Sequence, residues 1–157
     1  MNFDDGQVVD PKQIAGLTGL ETMQKMLAGE LPPAPIAKTM NFWPVEIADG
    51  VAVFEGIPLA AFRNPMGVIH GGWYGAIMDT VLGVSVHTKM GAGQGYTTLE
   101  YKVNITRAIP VGTLVRATGT VSHCGRSTAV SEAKLVGVED GRLYATGSTT
   151  CIILGGK

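Results

Sequence analysis

The chain has 157 residues and a formal net charge of -1, because 12 Lys and Arg residues oppose 13 Asp and Glu residues. This length fits one domain with a core of its own, and the near-neutral charge excludes a long-range attraction to nucleic acid or to an anionic membrane. A content of 45% hydrophobic and 16% charged residues predicts more apolar surface than one monomer buries, and therefore a homo-oligomer.

The residue pattern argues against a disulfide framework, a metal site and a membrane span. Cys124 and Cys151 lie outside any CxxC spacing, so we expect both to be reduced. His87 and His123 have no acidic or cysteine neighbours at metal-ligand spacing, so we expect no metal. The N-terminus lacks an apolar signal-peptide core, and no apolar run reaches the roughly 20 residues that span a bilayer. These features predict a cytoplasmic protein without a membrane partner.

The first 35 residues predict an N-terminal arm with one short helix. Thr18 and Glu21 match a capping box, and apolar residues follow at helical spacing. The run LPPAP at 31–35 cannot continue a helix, so we expect a stiff connector there. The domain proper is expected over residues 36–157.

Two strands and a long helix open this domain. The segments 42–48 and 51–57 are short and extended in character, and the pair Asp49-Gly50 between them suits a tight hairpin turn. After a loop, apolar residues recur at helical spacing with small residues on the neighbouring faces. This pattern predicts a central helix over about Gly71 to Lys89.

Four further strands complete the prediction. Alternating, β-branched sequences occupy 97–107, 113–124, 127–138 and 143–154, with turn signals between them. A single helix among six strands, joined by turns of hairpin length, excludes a parallel βαβ array. The sequence therefore predicts an α+β fold in which a six-stranded antiparallel sheet wraps around a long central helix, with a short N-terminal helix in addition.

The predicted start of the central helix is a candidate oxyanion hole. Gly71 and Gly72 end the segment NPMGVIHGG at 64–72. Without a Cβ, the backbone N–H groups of glycines can face a ligand closely, and a helix N-terminus favours negative charge. Because a carbonyl oxygen gains negative charge under nucleophilic attack, this helix start suits its stabilisation.

Asp79 is the only acid between Glu55 and Glu100, and it interrupts an apolar helix. Depending on its neighbours, such a carboxylate can be a general base or a nucleophile. It lies about 12 Å along the helix from Gly71, too far for both residues to act on one carbonyl. Two antiparallel helices across a twofold axis would bring each Gly71 near Asp79 of the partner subunit, which predicts an active dimer with two shared sites.

At these residues the sequence resembles the hotdog-fold acyl-coenzyme A thioesterases of the phenylacetate-degradation (PaaI-like) type. The resemblance covers roughly Ile36 to Leu154. Its core is N-P-x-G-x-x-H-G-G followed by Asp at a fixed offset, supported by TTLEYKVNITR, HCGRS and DGRLYAT. The resemblance implies hydrolysis of an aryl or short- to medium-chain acyl-coenzyme A to free acid and coenzyme A. It also implies a homodimer as the active unit and a further pairing into a tetramer.

The resemblance implies a role for each residue of the motif. The Gly71 N–H would polarise the thioester carbonyl, while Asn64 and His70 would hold the thioester or the attacking water. Asp79 of the opposite subunit would be the base or nucleophile. Thr97 matches a Ser/Thr position that helps to place the water in relatives.

The resemblance also implies where coenzyme A lies. In the family its tail crosses the sheet near segments that here contain Asn104, Arg107, Arg126 and Ser127, and Gly72 at the helix start is assigned to the same set. The planar fork of an arginine suits phosphate oxygens. Coenzyme A is then part of the substrate, and no separate cofactor is expected.

This chain departs from the family pattern after the HGG motif. Relatives often carry small or aliphatic residues there, whereas this chain has Trp73 and Tyr74. The two aromatic residues either line the acyl pocket or belong to the core, which is the commoner place for such residues. Gly83 leaves no hydroxyl where one branch of thioesterases has one. Neither departure specifies which acyl group the chain accepts.

Two other functions fit the same fold. One is a non-catalytic acyl-coenzyme A binding or sensing module, because a fold does not fix a function. Against it, the N-terminal arm is too short and too acidic for a helix-turn-helix, and a pure binder would not need Asp79. The other is an acyl-coenzyme A hydratase or dehydratase, which needs an acid–base dyad of a different layout. No paired His and Asp spacing of that kind occurs in the sequence.

Overall fold

The structure, a computed structural model, describes residues 6–155. Three short helices come first: α1 (Pro11–Ile14), α2 (Gly19–Leu27) and α3 (Pro35–Thr39). The strands β1 (Phe42–Ala48) and β2 (Val51–Gly56) precede the long helix α4 (Gly71–His87). After α4 come the remaining strands, which are β3 (Gln94–Ile105), β4 (Val115–Cys124), β5 (Thr128–Gly137) and β6 (Leu143–Gly155).

All six strands form one antiparallel sheet in the order β1-β2-β4-β5-β6-β3, and α4 packs against it. The α4 side chains Ile77, Val81 and Leu82 are fully buried between helix and sheet. The predicted α+β hotdog architecture is therefore confirmed. No helix within residues 6–155 has the length and hydropathy needed to cross a bilayer.

The N-terminal arm contains more helix than the sequence predicts. The expected helix is α2, and its capping box is present: Glu21 N donates to Thr18 Oγ1 (3.2 Å), and Thr18 N donates to Glu21 Oε2 (2.8 Å). The two other short helices were not predicted, and the proline-rich connector passes directly into α3. Pro35 opens α3 because its fixed φ suits the first position of a helix, where the missing N–H costs nothing.

The arm is held against the C-terminal end of α4. Gly19 N donates to Met90 O over 2.9 Å, and a Cβ on Gly19 would overlap the carbonyl group of His87. A glycine is needed at the start of α2 for this close approach. The arm thus packs on the same helix that carries Asp79.

One face of α4 lies along β3. Small residues and one acid form this face at every fourth position, namely Gly71, Gly75, Asp79 and Gly83. A Cβ on Gly83 would lie 2.7 Å from the hydroxyl oxygen of Tyr96, and one on Gly75 would lie 3.1 Å from that of Tyr101. The glycines therefore let the two tyrosines of β3 rest on the helix. The start of α4 lies beside the end of β3, so helix and strand run antiparallel.

Within the described residues β3 pairs only with β6, so it is an edge of the sheet. It carries apolar side chains with large exposed fractions: Leu99 (59%), Ile105 (48%) and Tyr101 (46%). An edge strand with exposed apolar residues favours pairing with another strand. This edge runs beside the Asp79 face of α4.

Candidate active site

Asn64 organises the loop that leads into α4. Its side-chain Oδ1 accepts hydrogen bonds from Met66 N (2.9 Å) and Val68 N (3.3 Å), and its own N donates to Val68 O (2.8 Å). Gly67 completes the turn with a φ of 83°, a conformation that glycine adopts without strain. The Asn64 oxygen is thus committed to the loop, and its Nδ2 group is the end of the side chain that can donate to a ligand.

His70 is the N-cap of α4. Its Nδ1 accepts a hydrogen bond from Gly72 N over 2.8 Å, and its backbone N donates to Phe62 O over 2.8 Å. A neutral imidazole that accepts at Nδ1 carries its proton on Nε2. His70 therefore has a ring N–H left for a ligand. The Gly72 N–H is already used by the cap, so of the two glycines in the predicted oxyanion hole only Gly71 offers a backbone donor.

Gly71 has the free backbone donor at this helix start. In the part of the chain that the structure describes, its N–H donates to no acceptor, and the residue is exposed. A Cβ on Gly71 would lie 3.5 Å from Ile105 Cδ1, which is an ordinary contact. An exposed N–H at the positive end of a helix dipole is suited to an anion or to a developing oxyanion.

Asp79 is half-buried on α4. Burial raises the pKa of its carboxyl group, and a hydrogen bond from the Thr98 side chain opposes this by lowering the pKa. Tyr96 and Cys151 are close enough for the Asp79 charge to raise their pKa values, with burial as the larger cause in both. The phenol and the thiol therefore stay neutral at neutral pH, and of these three side chains Asp79 is the one that can act as a base.

Thr98, not Thr97, is the threonine beside Asp79. Thr98 pairs with the buried Cys151 and lies on the helix-facing side of β3, whereas Thr97 is exposed on the other side. The Thr98 hydroxyl is thus the one that contacts Asp79 within one chain, and the role of Thr97 in placing the water stays a prediction. Successive side chains of a strand point to opposite faces, so a shift of one position exchanges the two threonines.

His87 lies at the C-terminal end of α4 and also reaches this cluster. Its ring centroid is 5.6 Å from that of Tyr96, and burial lowers the pKa of the imidazole. Its Nδ1 is buried without a hydrogen-bond partner among the described residues. Residues 6–155 contain no group of three or more His, Cys, Asp or Glu side chains that could hold a metal ion.

Gly71 and Asp79 do not meet within one chain. Both belong to α4, and about 12 Å of helix separates them at 1.5 Å per residue. A carbonyl held by Gly71 is therefore out of reach of Asp79 of the same chain.

The residues predicted to contact coenzyme A form two groups at opposite ends of β3. Asn104 lies near the end of β3 and donates from Nδ2 to Thr146 Oγ1 over 3.4 Å, and Arg107 follows in the next loop. Arg126 and Ser127 lie in the β4–β5 turn, near the start of β3. The two groups are separated by roughly 23 Å of strand at about 3.3 Å per residue. One chain does not bring them together.

Trp73 and Tyr74 are core residues. Each is only 1% exposed. Trp73 Nε1 donates to Met40 O (2.8 Å), and the Tyr74 hydroxyl donates to Arg107 O (3.0 Å) and accepts from Ile109 N (2.8 Å). They do not line an acyl pocket within the chain, and Tyr74 instead fixes the loop that carries Arg107 to α4.

Comparisons with known proteins find relatives in sequence and in fold. A Pseudomonas aeruginosa protein described as conserved protein PA5202 is 33% identical, with 78% of this chain and 95% of that chain covered and a TM-score of 0.72. The Escherichia coli PaaI protein from the phenylacetic acid degradation operon shares the fold at 19% identity, with 91% and 98% covered and a TM-score of 0.77. A Caenorhabditis elegans protein named "Putative esterase F42H10.6" is 27% identical over 73% of this chain and 67% of its own length.

The family itself is identified by a sequence match. Residues 66–144, half of the chain, match the thioesterase superfamily. The matched region begins inside the loop before α4 and includes Gly71, Asp79 and Thr98. The chain therefore belongs to the thioesterase superfamily, and thioester hydrolysis is the general activity that this membership supports.

Proposed function

We propose that the chain hydrolyses acyl-coenzyme A thioesters with aryl or short- to medium-chain acyl groups to the free acid and coenzyme A. The observation that carries the proposal is the free N–H of Gly71 at the start of α4, on the helix face that also holds Asp79. An oxyanion donor stabilises the carbonyl oxygen under attack, and a carboxylate can activate water or attack the carbonyl itself, so the two groups together can catalyse thioester hydrolysis.

The start of α4 stabilises the reacting carbonyl. The Gly71 N–H donates to the thioester oxygen, and the helix dipole favours the negative charge that develops there. His70 supports this geometry because its Nδ1 holds the Gly72 N–H, which leaves its Nε2–H to donate to the substrate. Asn64 Nδ2 is a third donor, directed from a loop that its own Oδ1 keeps rigid.

Asp79 either activates the attacking water or attacks the carbonyl itself. As a general base it takes a proton from water while the water oxygen attacks the carbonyl carbon. The tetrahedral intermediate then expels the thiolate of coenzyme A, which takes up a proton. As a nucleophile it attacks the carbonyl itself, the thiolate leaves, and water hydrolyses the acyl-Asp79 anhydride. In both routes the Thr98 hydroxyl donates to the carboxylate and orients it.

A dimer can bring Gly71 of one subunit close to Asp79 of the other. If two β3 edges pair antiparallel across a twofold axis, the end of one β3 lies beside the start of the other. Because α4 runs antiparallel to β3, Gly71 then lies near Asp79 of the partner subunit. The exposed Leu99 and Tyr101 side chains of the β3 edge support this choice of interface.

The same dimer joins the two groups predicted to bind coenzyme A. Asn104 and Arg107 lie at the Gly71 end of β3, and Arg126 and Ser127 lie at the Asp79 end. In the antiparallel pair, Asn104 and Arg107 of one subunit therefore lie on the same side as Arg126 and Ser127 of the other. We assign the phosphates of coenzyme A to Arg107 and Arg126. Gly72 is assigned to a backbone contact with the substrate that does not use its N–H, because that N–H already donates to His70 Nδ1. A tetramer and a cytoplasmic location stay predictions of the sequence.

Free-thiol release from a panel of aryl- and alkyl-coenzyme A thioesters tests the proposal, with Asp79→Asn as the variant. The native protein should cleave at least one thioester, and Asp79→Asn should lose about 10²-fold or more in kcat, since general-base catalysis contributes about 10²–10⁴-fold. Circular dichroism and calorimetric binding of a non-hydrolysable thioether analogue check that the variant folds and binds.

Two results would count against this reading. Equal activity of Asp79→Asn and the native protein would remove Asp79 from the reaction. Tight binding of the analogue by the native protein without turnover of any thioester would favour the acyl-coenzyme A binding module instead.

A further inference from the structure

An apolar cavity of about 310 Å³ lies between the N-terminal arm and the rest of the domain. The arm contributes α2, the proline-rich connector and the segment before α1, while β1, β2 and α4 close the other side. Met23, Met26, Phe54, Thr80 and Val84 are among the lining residues. The arm therefore forms one wall of a partly open apolar cavity on α4.

The lining lacks a group that would bind a polar ligand. Thr80 is the one lining residue with a polar side chain within the described part of the chain. Its hydroxyl already donates to Ala76 O over 2.8 Å. A cavity without free donors or acceptors is filled favourably by apolar groups and poorly by water.

The cavity lies next to the site of the proposed reaction. Thr80 follows Asp79 directly in α4, and Val84 lies about one turn further along the same side of the helix. Successive residues of a helix are turned by about 100°, so the cavity faces the side of α4 adjacent to the Asp79 face. Asp79 and the cavity therefore occupy adjacent sides of the same turn of α4.

We propose that this cavity receives the acyl group of the substrate and that the N-terminal arm sets the length of acyl group accepted. The inference rests on the proposed thioesterase function and narrows its substrate class to aryl or medium-chain acyl groups. The volume supports this range, because an apolar cavity of roughly 150 Å³ already admits benzene. An acetyl group would leave most of the space empty, and a long fatty acyl chain would extend out of its open side.

Substitutions at Met26 test the inference, because this side chain belongs to the arm and lines the cavity. Met26→Trp reduces the space and Met26→Ala enlarges it. Leu27→Trp is the matched control, since Leu27 is the next residue of α2, is 38% exposed and does not line the cavity. The measurement is kcat/KM for coenzyme A thioesters from acetyl to palmitoyl, together with phenylacetyl-coenzyme A.

The native protein should prefer octanoyl- or phenylacetyl-coenzyme A to acetyl-coenzyme A by at least tenfold, because each buried methylene contributes about fourfold. Met26→Trp should lower kcat/KM for octanoyl-coenzyme A by at least tenfold and shift the preference to shorter chains. Met26→Ala should shift it to longer chains, and Leu27→Trp should keep the native order. Opposite shifts from one position cannot come from a folding defect.

The outcomes separate this inference from the proposed function. If thioesters are cleaved but both Met26 variants keep the native order of substrates, the inference is wrong and the thioesterase function stands. If no thioester is cleaved, the binding of the octyl thioether of coenzyme A is measured by calorimetry instead. A tenfold loss of affinity in Met26→Trp, but not in Leu27→Trp, then supports binding of the acyl group in the cavity and rejects the hydrolase function. A Met26→Trp protein that becomes monomeric with an unchanged substrate order assigns the cavity to a segment of the partner subunit, which overturns the inference.

Discussion

The Gly71 N–H can be removed without disturbing α4, which makes its role directly testable. Gly71 is the first helical residue, a position where proline is favoured, and His70 before it has φ -64° and ψ 140°, the extended conformation that a following proline requires. Gly71→Pro therefore removes one donor and keeps the helix. We expect kcat to fall about 10²–10³-fold, the usual effect of losing an oxyanion-hole donor.

The stability of the Gly71 variants provides the control. Because the Gly71 N–H has no acceptor among residues 6–155, its loss should change the free energy of unfolding by less than about 0.5 kcal/mol in a urea titration. Gly71→Ala keeps the N–H and meets only an ordinary contact with Ile105, so its kcat should fall less than that of Gly71→Pro. A Gly71→Pro protein with native kcat would exclude this N–H from catalysis.

The pH dependence of the reaction reports on the contact between Thr98 and Asp79. A carboxylate base must be ionised, so kcat/KM should fall as the pH drops through the pKa of Asp79. Burial raises this pKa, and the Thr98 hydrogen bond lowers it. Thr98→Val removes the lowering contribution, so the acidic limb of the pH profile should move to higher pH.

Thr97→Val is the matched control for this experiment. Thr97 is the preceding residue and is exposed on the opposite face of β3, so its variant should keep the native acidic limb. If Thr97→Val moves the limb and Thr98→Val does not, the assignment of the orienting hydroxyl to Thr98 is wrong. The two variants remove the same group from adjacent positions, so a general loss of strand stability affects them similarly.

The elements of the domain were predictable because their signals are local. Helical spacing gave α4 a predicted range that ends at Lys89, and the observed end is His87. The hairpin of β1 and β2 was predicted from Asp49-Gly50, and Gly50 adopts in this turn a positive φ of 74°, which glycine tolerates without strain. The start of β3 at Gln94 was not predicted, because it is fixed by pairing with Gly155 at the far end of β6.

The sequence could predict those site residues whose role follows from their own residue type and local position. Gly71 and Asp79 stand out by residue type at a helix start and in an apolar helix. The choice between Thr97 and Thr98 depends on which face of β3 meets α4, and a register shift between Thr98 and Glu100 changes the alternation there. The cavity behind the arm joins segments that are distant in sequence, so no local pattern indicates it.

The assembly of the active site from two subunits makes a prediction that no property of the single chain would produce. If each site combines Gly71 of one subunit with Asp79 of the other, Gly71→Pro and Asp79→Asn each inactivate both sites of their own homodimer. A mixed dimer has one site with both changes and one site with neither. Unfolding and refolding an equal mixture should therefore restore about a quarter of native activity, because about half of the dimers are mixed and each has one intact site.

The restored activity distinguishes a shared site from a site within one chain. When the two variants are mixed without unfolding, activity should rise only as fast as subunits exchange. The molecular mass of the native protein, measured by light scattering, should be that of a dimer or a larger even assembly. If Gly71 and Asp79 of the same chain form the site, every subunit in the mixture carries one inactivating change and the mixture stays inactive. The roughly 12 Å of helix between the two residues leads us to expect recovery.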